Sequence, residues 1–221
     1  MHVLYDTIKD DKKNKILNYL KTKNIKISYI KGRPTFNYCF TLANEQYANS
    51  KVIISNADIY FNNTLYLLSD YNLNNKFIAL TRWNVTPTGS LKIFKQFDKN
   101  GNFRADWTYY SQDAWIFQTP IQKFNYDAIA LGTLYCDGMI AYQADQVGLN
   151  VFNPCYSIQC CHLHLSEVRN YARPSYPPYP MKPLPWISLN KVLNNFVDES
   201  DKYVIHDSEY QYLKMYYNEK K

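Results

Sequence analysis

A chain of 221 residues with 46% hydrophobic content is long enough to bury one good core and too short for two full domains. Its 25 basic against 19 acidic residues give a formal net charge of +6, but the lysines are scattered beside Asn and Asp, which speaks for solubility and against nucleic acid as a partner. No apolar run approaches the roughly 20 residues that span a bilayer, and the five cysteines follow no signal peptide and cannot all pair, so the expectation is reduced thiols in the cytoplasm.

The opening reads as βαβ, with short strands at residues 2–5 and 25–30 flanking a helix over 11–23. In that helix Ile16, Leu17 and Leu20 form the apolar stripe and the lysines a solvated face. Gly32 and Pro34 end the second strand, and Phe36, Phe40, Ala43 and Tyr47 at helical spacing predict a helix over about 35–49. It leads into KVIISNADIYF (51–61), an apolar run of the kind found in buried parallel strands, which breaks off at Asn56, Ala57 and Asp58. A short helix over 64–69, a buried strand over 77–80 and a polar, Gly-punctuated excursion over 86–107 with hairpin character around 98–101 come next. A strand at 115–117, an amphipathic helix over 137–148 and strand segments at 151–153 and 157–164 complete the body. Six prolines between 174 and 185 make 173–186 an extended linker, so the expected layout is a domain over 1–172, the linker, and a tail over 187–221 that packs on the body or on a partner. The fold class expected is α/β, with a mixed but mostly parallel central sheet flanked by helices.

Several side chains are candidates for chemistry. Strand alternation puts Asn56 and Asp58 on one face at a strand end, where an amide oxygen and a carboxylate suit a hard cation; the other reading of Asp58 is a cap on the next turn. In CCHLHLSEVRNY (160–171), His162 and His164 share a strand face and could ligate a metal or meet a phosphate, while Cys160 beside them is either a zinc ligand or a structural thiol. Asp113 precedes the apolar WIF as a site carboxylate or a turn cap. Asp137 opens a helix, whose exposed N–H groups would keep it ionised and usable as a general base, or which it merely caps. Arg33, Arg82 and Arg169 adjoin strand or loop edges, where guanidinium forks fit phosphate oxygens or face solvent. Trp83, Trp107 and Trp115 with Tyr109 and Tyr110 form an aromatic middle, either core or a surface for stacking sugar rings.

Taken together, GRPTFNYCFTLAN (32–44), VIISNADIYF (52–61), ALTRW (79–83), SQDAWIF (111–117), LGTLYCDGMIAY (131–142) and NPCYSIQCCHLHLSEVRNY (153–171) resemble the small GT-A-fold glycosyltransferases of large DNA viruses and some bacteria. The resemblance covers roughly residues 25–171. It implies a GT-A-like sheet and transfer of a sugar from a nucleotide-diphosphate donor, a UDP-sugar before others, to a glycan or glycoprotein acceptor. Mn²⁺ or Mg²⁺ would bridge the diphosphate, and the setting would be the host cytoplasm if the protein is viral. NAD then looks like a variant of the DxD motif, with Asp58 on the metal and Asn56 on the metal, a water or the ribose. One of His162 and His164 is similar to the histidine that completes the metal site, and Arg33, Arg82 and Arg169 would meet the diphosphate. Asp137 is similar in position to the base of inverting members, with Asp113 a second candidate, as base or as a clamp on sugar hydroxyls. Two departures stand out: relatives usually begin with a further strand and helix, and Asn62 replaces a frequent acid. A non-catalytic glycan- or nucleotide-binding module of the same fold is the alternative, and a metal-dependent phosphohydrolase built on Asp58, Asp113 and the histidines is a third.

Overall fold

In the computed structural model the chain opens with β1 (His2–Asp6), α1 (Lys13–Thr22) and β2 (Lys26–Ile30), the strands pairing in parallel from His2 opposite Lys26 to Asp6 opposite Ile30. The structure describes residues 1–7, 13–163 and 179–189. Gly32 turns with φ +81° and donates its N–H to Asp6 Oδ1 at 3.0 Å, which ties the exit of β2 to the end of β1. Thr35 then caps α2 (Phe36–Gln46), its hydroxyl oxygen accepting from the Tyr38 N–H at 3.2 Å. The helical spacing seen in the sequence puts Phe36, Phe40 and Ala43 into the core.

The run that follows α2 does not form a single strand. It divides into β3 (Lys51–Ser55) and β4 (Ile59–Phe61), and Asn56 to Asp58 is the turn between them. A 3₁₀ turn (Asn63–Leu68), β5 (Lys76–Leu80), β6 (Arg82–Val85), β7 (Leu91–Ile93), α3 (Ala105–Thr108), β8 (Ala114–Gln118), α4 (Cys136–Gln146), β9 (Asn150–Phe152) and β10 (Cys160–His162) follow. The main sheet has the order β3-β8-β5-β9 and a second sheet the order β4-β10-β6-β7. The chain steps from the first sheet to the second three times, at Asn56–Asp58, at Thr81 and between β9 and β10, and β10 slots between β4 and β6.

Two expectations are corrected here. The sheets are not mostly parallel: β3–β8, β5–β8, β4–β10 and β6–β7 are antiparallel, while β1–β2, β5–β9 and β6–β10 are parallel. β3, expected as a buried parallel strand, is a half-buried edge strand antiparallel to β8. The physical reason lies in what an apolar run records, which is cover on both faces and not direction. Phe77, Ala79, Trp115 and Phe117 point into the cluster beneath α2 and α4, whereas Ile78, Leu80, Ala114 and Ile116 point into a second cluster with Leu68, Leu73, Tyr109, Ile158 and Trp186. Both faces of β5 and β8 are therefore covered without the sheet being parallel.

The proline-rich stretch differs from a linker over its described part. Residues 179–189 lie on the body: Leu184, Trp186 and Leu189 are buried, and the Lys182, Leu184 and Ile187 N–H groups donate to the carbonyls of Gly138, Tyr109 and Asn153 at 2.8–3.0 Å. Tyr179 stacks on Tyr126 with ring centroids 4.1 Å apart. Residues 164–178 and 190–221 are outside the described residues. All five cysteines are free, buried thiols, and no helix among the described residues is long and apolar enough to cross a membrane.

Candidate functional site

β8 runs against β3 and β5, so the start of β8 meets the ends of the other two strands at one edge of the main sheet. Asn56–Asp58 leaves β3 there, Thr81–Arg82 leaves β5, and Asp113 enters β8. The segments are stitched by backbone bonds: Asn56 N–H to Asp113 O at 3.1 Å and Asp113 N–H to Leu80 O at 2.9 Å. On this frame Asp113 accepts from Asn56 Nδ2 through Oδ1 and from Arg82 through Oδ2, both at 2.9 Å. Arg82 also donates from Nε to Asn84 Oδ1 at 3.1 Å and lies 3.9 Å above the centre of the Phe94 ring.

The second sheet delivers the histidine. Cys160 pairs with Arg82 and His162 with Asn84 across β10 and β6, and His162 Nε2 sits 3.0 Å from Asp58 Oδ2. The Leu163 N–H donates to Asp58 O at 3.0 Å, so the turn is fastened through backbone and side chain. The His162 side chain is 8% exposed and that of Asp58 45%, which leaves the carboxylate open to a ligand with the imidazole behind it. The hydrogen bond from His162 holds the Asp58 carboxyl below its ordinary value, against the opposing effect of burial.

Arg33 closes another side. Its guanidinium donates to Gly132 O at 2.9 Å, and a Cβ on Gly132, where φ is +70°, would stand 2.7 Å from Arg33 Nη1 and 3.7 Å from Asn56 Oδ1. The positive φ favours glycine at this position, and a side chain there would press on the Arg33 guanidinium. Asp137 is the second residue of α4, after Tyr135 in the left-handed region and Cys136. It does not cap the helix; Oδ2 accepts the Gln112 N–H at 3.3 Å and Oδ1 the Cys136 thiol at 2.9 Å. The expectation that helix N–H groups keep it ionised does not match the structure. Burial first, and the Asp113 charge second, push its carboxyl up to about 8, against those two hydrogen bonds and the Arg82 charge. The group is surrounded by protein yet only half-buried by surface area.

The structure thus brings Arg33, Asn56, Asp58, Arg82, Asp113, Asp137 and His162 to one sheet edge, whereas His164 and Arg169 lie outside the described residues. Arg82 is engaged with Asp113, Asn84 and Phe94 instead of facing outward. The Cys160 thiol is buried in the second core cluster, 3.6 Å from Leu80 O. Of the aromatic middle, Trp115 is core, Trp83 donates its indole N–H to Cys155 O at 2.8 Å, Tyr109 is buried and Trp107 is 58% exposed. Sequence reasoning missed Gln112, Asn84, Phe94 and Gly132. Asn84 was findable, two residues from Arg82 on one strand face; Phe94 and Gly132 reach the site only through tertiary contacts.

As a metal site the described residues offer little by themselves, since no group of three or more His, Cys, Asp or Glu side chains converges. Asp58 and His162 could supply two ligands to a cation, with substrate phosphate oxygens and water as the others. No protein-family model matches the chain, and no curated protein matches it.

Proposed function

We propose that the protein is a divalent-metal-dependent glycosyltransferase of GT-A-like fold, moving a sugar from a nucleotide-diphosphate donor, UDP-linked before others, to a glycan or glycoprotein hydroxyl in a cytoplasmic setting. The observation that carries the proposal is the convergence of Asp58 with His162, Asn56 with Asp113 and Arg82, and Asp137 at one sheet edge, with Arg33 at its rim.

Asp58, His162 and the Asn56 oxygen would hold Mn²⁺ or Mg²⁺, which when bound neutralises charge on the diphosphate leaving group. Arg33, exposed beside Asn56, adds a fixed positive charge for the same oxygens. Asp137 is the base: a carboxyl whose proton affinity lies near the working pH accepts a proton from an acceptor hydroxyl far better than an ordinary aspartate does. With a base opposite the leaving group, inversion at the anomeric carbon follows.

The test is a panel of UDP-, GDP- and dTDP-sugars mixed with the purified full chain, with and without Mn²⁺. Metal-dependent binding and slow release of the nucleoside diphosphate are expected, and Asp58→Ala should abolish both. Binding without any turnover would favour a binding module, and no binding by the folded chain would overturn the proposal.

A further inference from the structure

The first position of the Asn56-Ala57-Asp58 turn carries an amide where an acid would give a cation a second carboxylate, and the structure gives a reason. A carboxylate accepts hydrogen bonds and cannot donate them, so only the NH₂ end of the Asn56 amide can face Asp113 Oδ1 at 2.9 Å. Asp113 cannot swing away. Its other oxygen accepts from Arg82 Nη1 at 2.9 Å, its N–H is bonded to Leu80 O, and it is 6% exposed. Arg82 is fixed in turn by Asn84 and by the Phe94 face 3.9 Å away.

We propose that Arg82 and Asp113 are positioning residues that orient the Asn56 amide, so that its oxygen faces Gly132 and the exposed Arg33. The location of that oxygen, 3.7 Å from where a Gly132 Cβ would stand, fits this orientation. An acid at position 56 would set two carboxylates against each other in a nearly closed space, a like-charge contact that one Arg82 cannot satisfy on both sides. Asn56 is on this reading specified by its neighbour and is not a decayed metal ligand. The use of its oxygen toward a cation rests on the glycosyltransferase reading; the orientation does not.

A charge swap tests it. Asn56→Asp and Asp113→Asn, singly and together, are compared with the wild-type chain for Mn²⁺-dependent UDP binding and for thermal unfolding. Each single change should weaken UDP binding by about tenfold or more and lower Tm by about 3 °C or more. The pair, which restores one carboxylate facing one amide, should recover most of both losses. Asn56→Asp alone binding Mn²⁺ and UDP as well as the wild type at unchanged Tm would overturn the proposal, as would a double variant showing the sum of the single losses. Should the wild-type chain bind no nucleotide, the glycosyltransferase reading falls while the Tm cycle still decides the orientation: recovery in the pair upholds it, additivity ends it.

Discussion

At the scale of single residues, Asp137 makes the sharpest demand. Its carboxyl is pushed up to about 8, so it carries a proton in neutral solution, and a base must first lose it. Transfer should therefore rise with pH through about 8 and then level, and Asp137→Asn should abolish transfer while leaving Mn²⁺-dependent UDP binding within about twofold. The same shift acts on stability. A carboxyl with a folded value above the unfolded one favours the folded state in its protonated form, so that contribution is complete below about pH 4 and declines as pH rises toward 8. Chemical denaturation from pH 4 to 8 should show a steeper decline for the wild type than for Asp137→Asn; equal slopes would place the carboxyl in a more ordinary environment. Asp58 behaves oppositely, its contribution being present above the ordinary carboxylate value and lost in acid. The candidate residues were legible because strand ends and helix starts are visible as breaks in apolar patterning. Their protonation was not, since burial of Asp137 beside Asp113 is set by segments 24 residues apart.

At the scale of elements, helices and turns were easier to read than the sheet. Thr35 before Phe36 and the spacing of Phe36, Phe40 and Ala43 dictate α2 locally. The direction of β8 is dictated by nothing local, because Trp115 and Ile116 read alike in parallel and antiparallel surroundings. The split of residues 51–61 between two sheets was equally hidden, although the Asn-Ala-Asp break marked its place. α4 is placed by a close approach that the sequence conceals as an ordinary glycine. A Cβ on Gly138 would stand 2.7 Å from Tyr110 Cδ1 and 3.0 Å from Met181 Cβ, one residue beyond Asp137. Gly138→Ala should destabilise by about 1–3 kcal/mol and lower transfer more than nucleotide binding, because the start of α4 carries the carboxyl proposed as the base. Unchanged thermal unfolding and kinetics would show that Tyr110 and Met181 yield freely.

At the scale of the whole molecule, the strap of residues 179–189 is part of the core. The Trp186 indole N–H reaches Thr81 Oγ1 at 3.1 Å, one residue from Arg82, while its rings pack against Phe103, Tyr109 and Tyr156. Trp186→Ala should cost about 3–5 kcal/mol, measured by denaturant unfolding, and should weaken nucleotide binding at the sheet edge because Thr81 leads directly into Arg82. A loss of less than about 1 kcal/mol would mean that the strap rests on the body without completing it. Composition marked 173–186 as a stretch without helix or strand; it could not tell that the described part, 179–186, packs on the body, because a proline-rich segment reads the same against a protein surface as in water. The position of the strap also bears on biosynthesis. A ribosome delivers it after every strand it covers, so the nascent domain first presents Tyr109, Phe103 and Thr81 without their lid of indole, and that bare aromatic face is where a chaperone or a neighbouring nascent chain would attach.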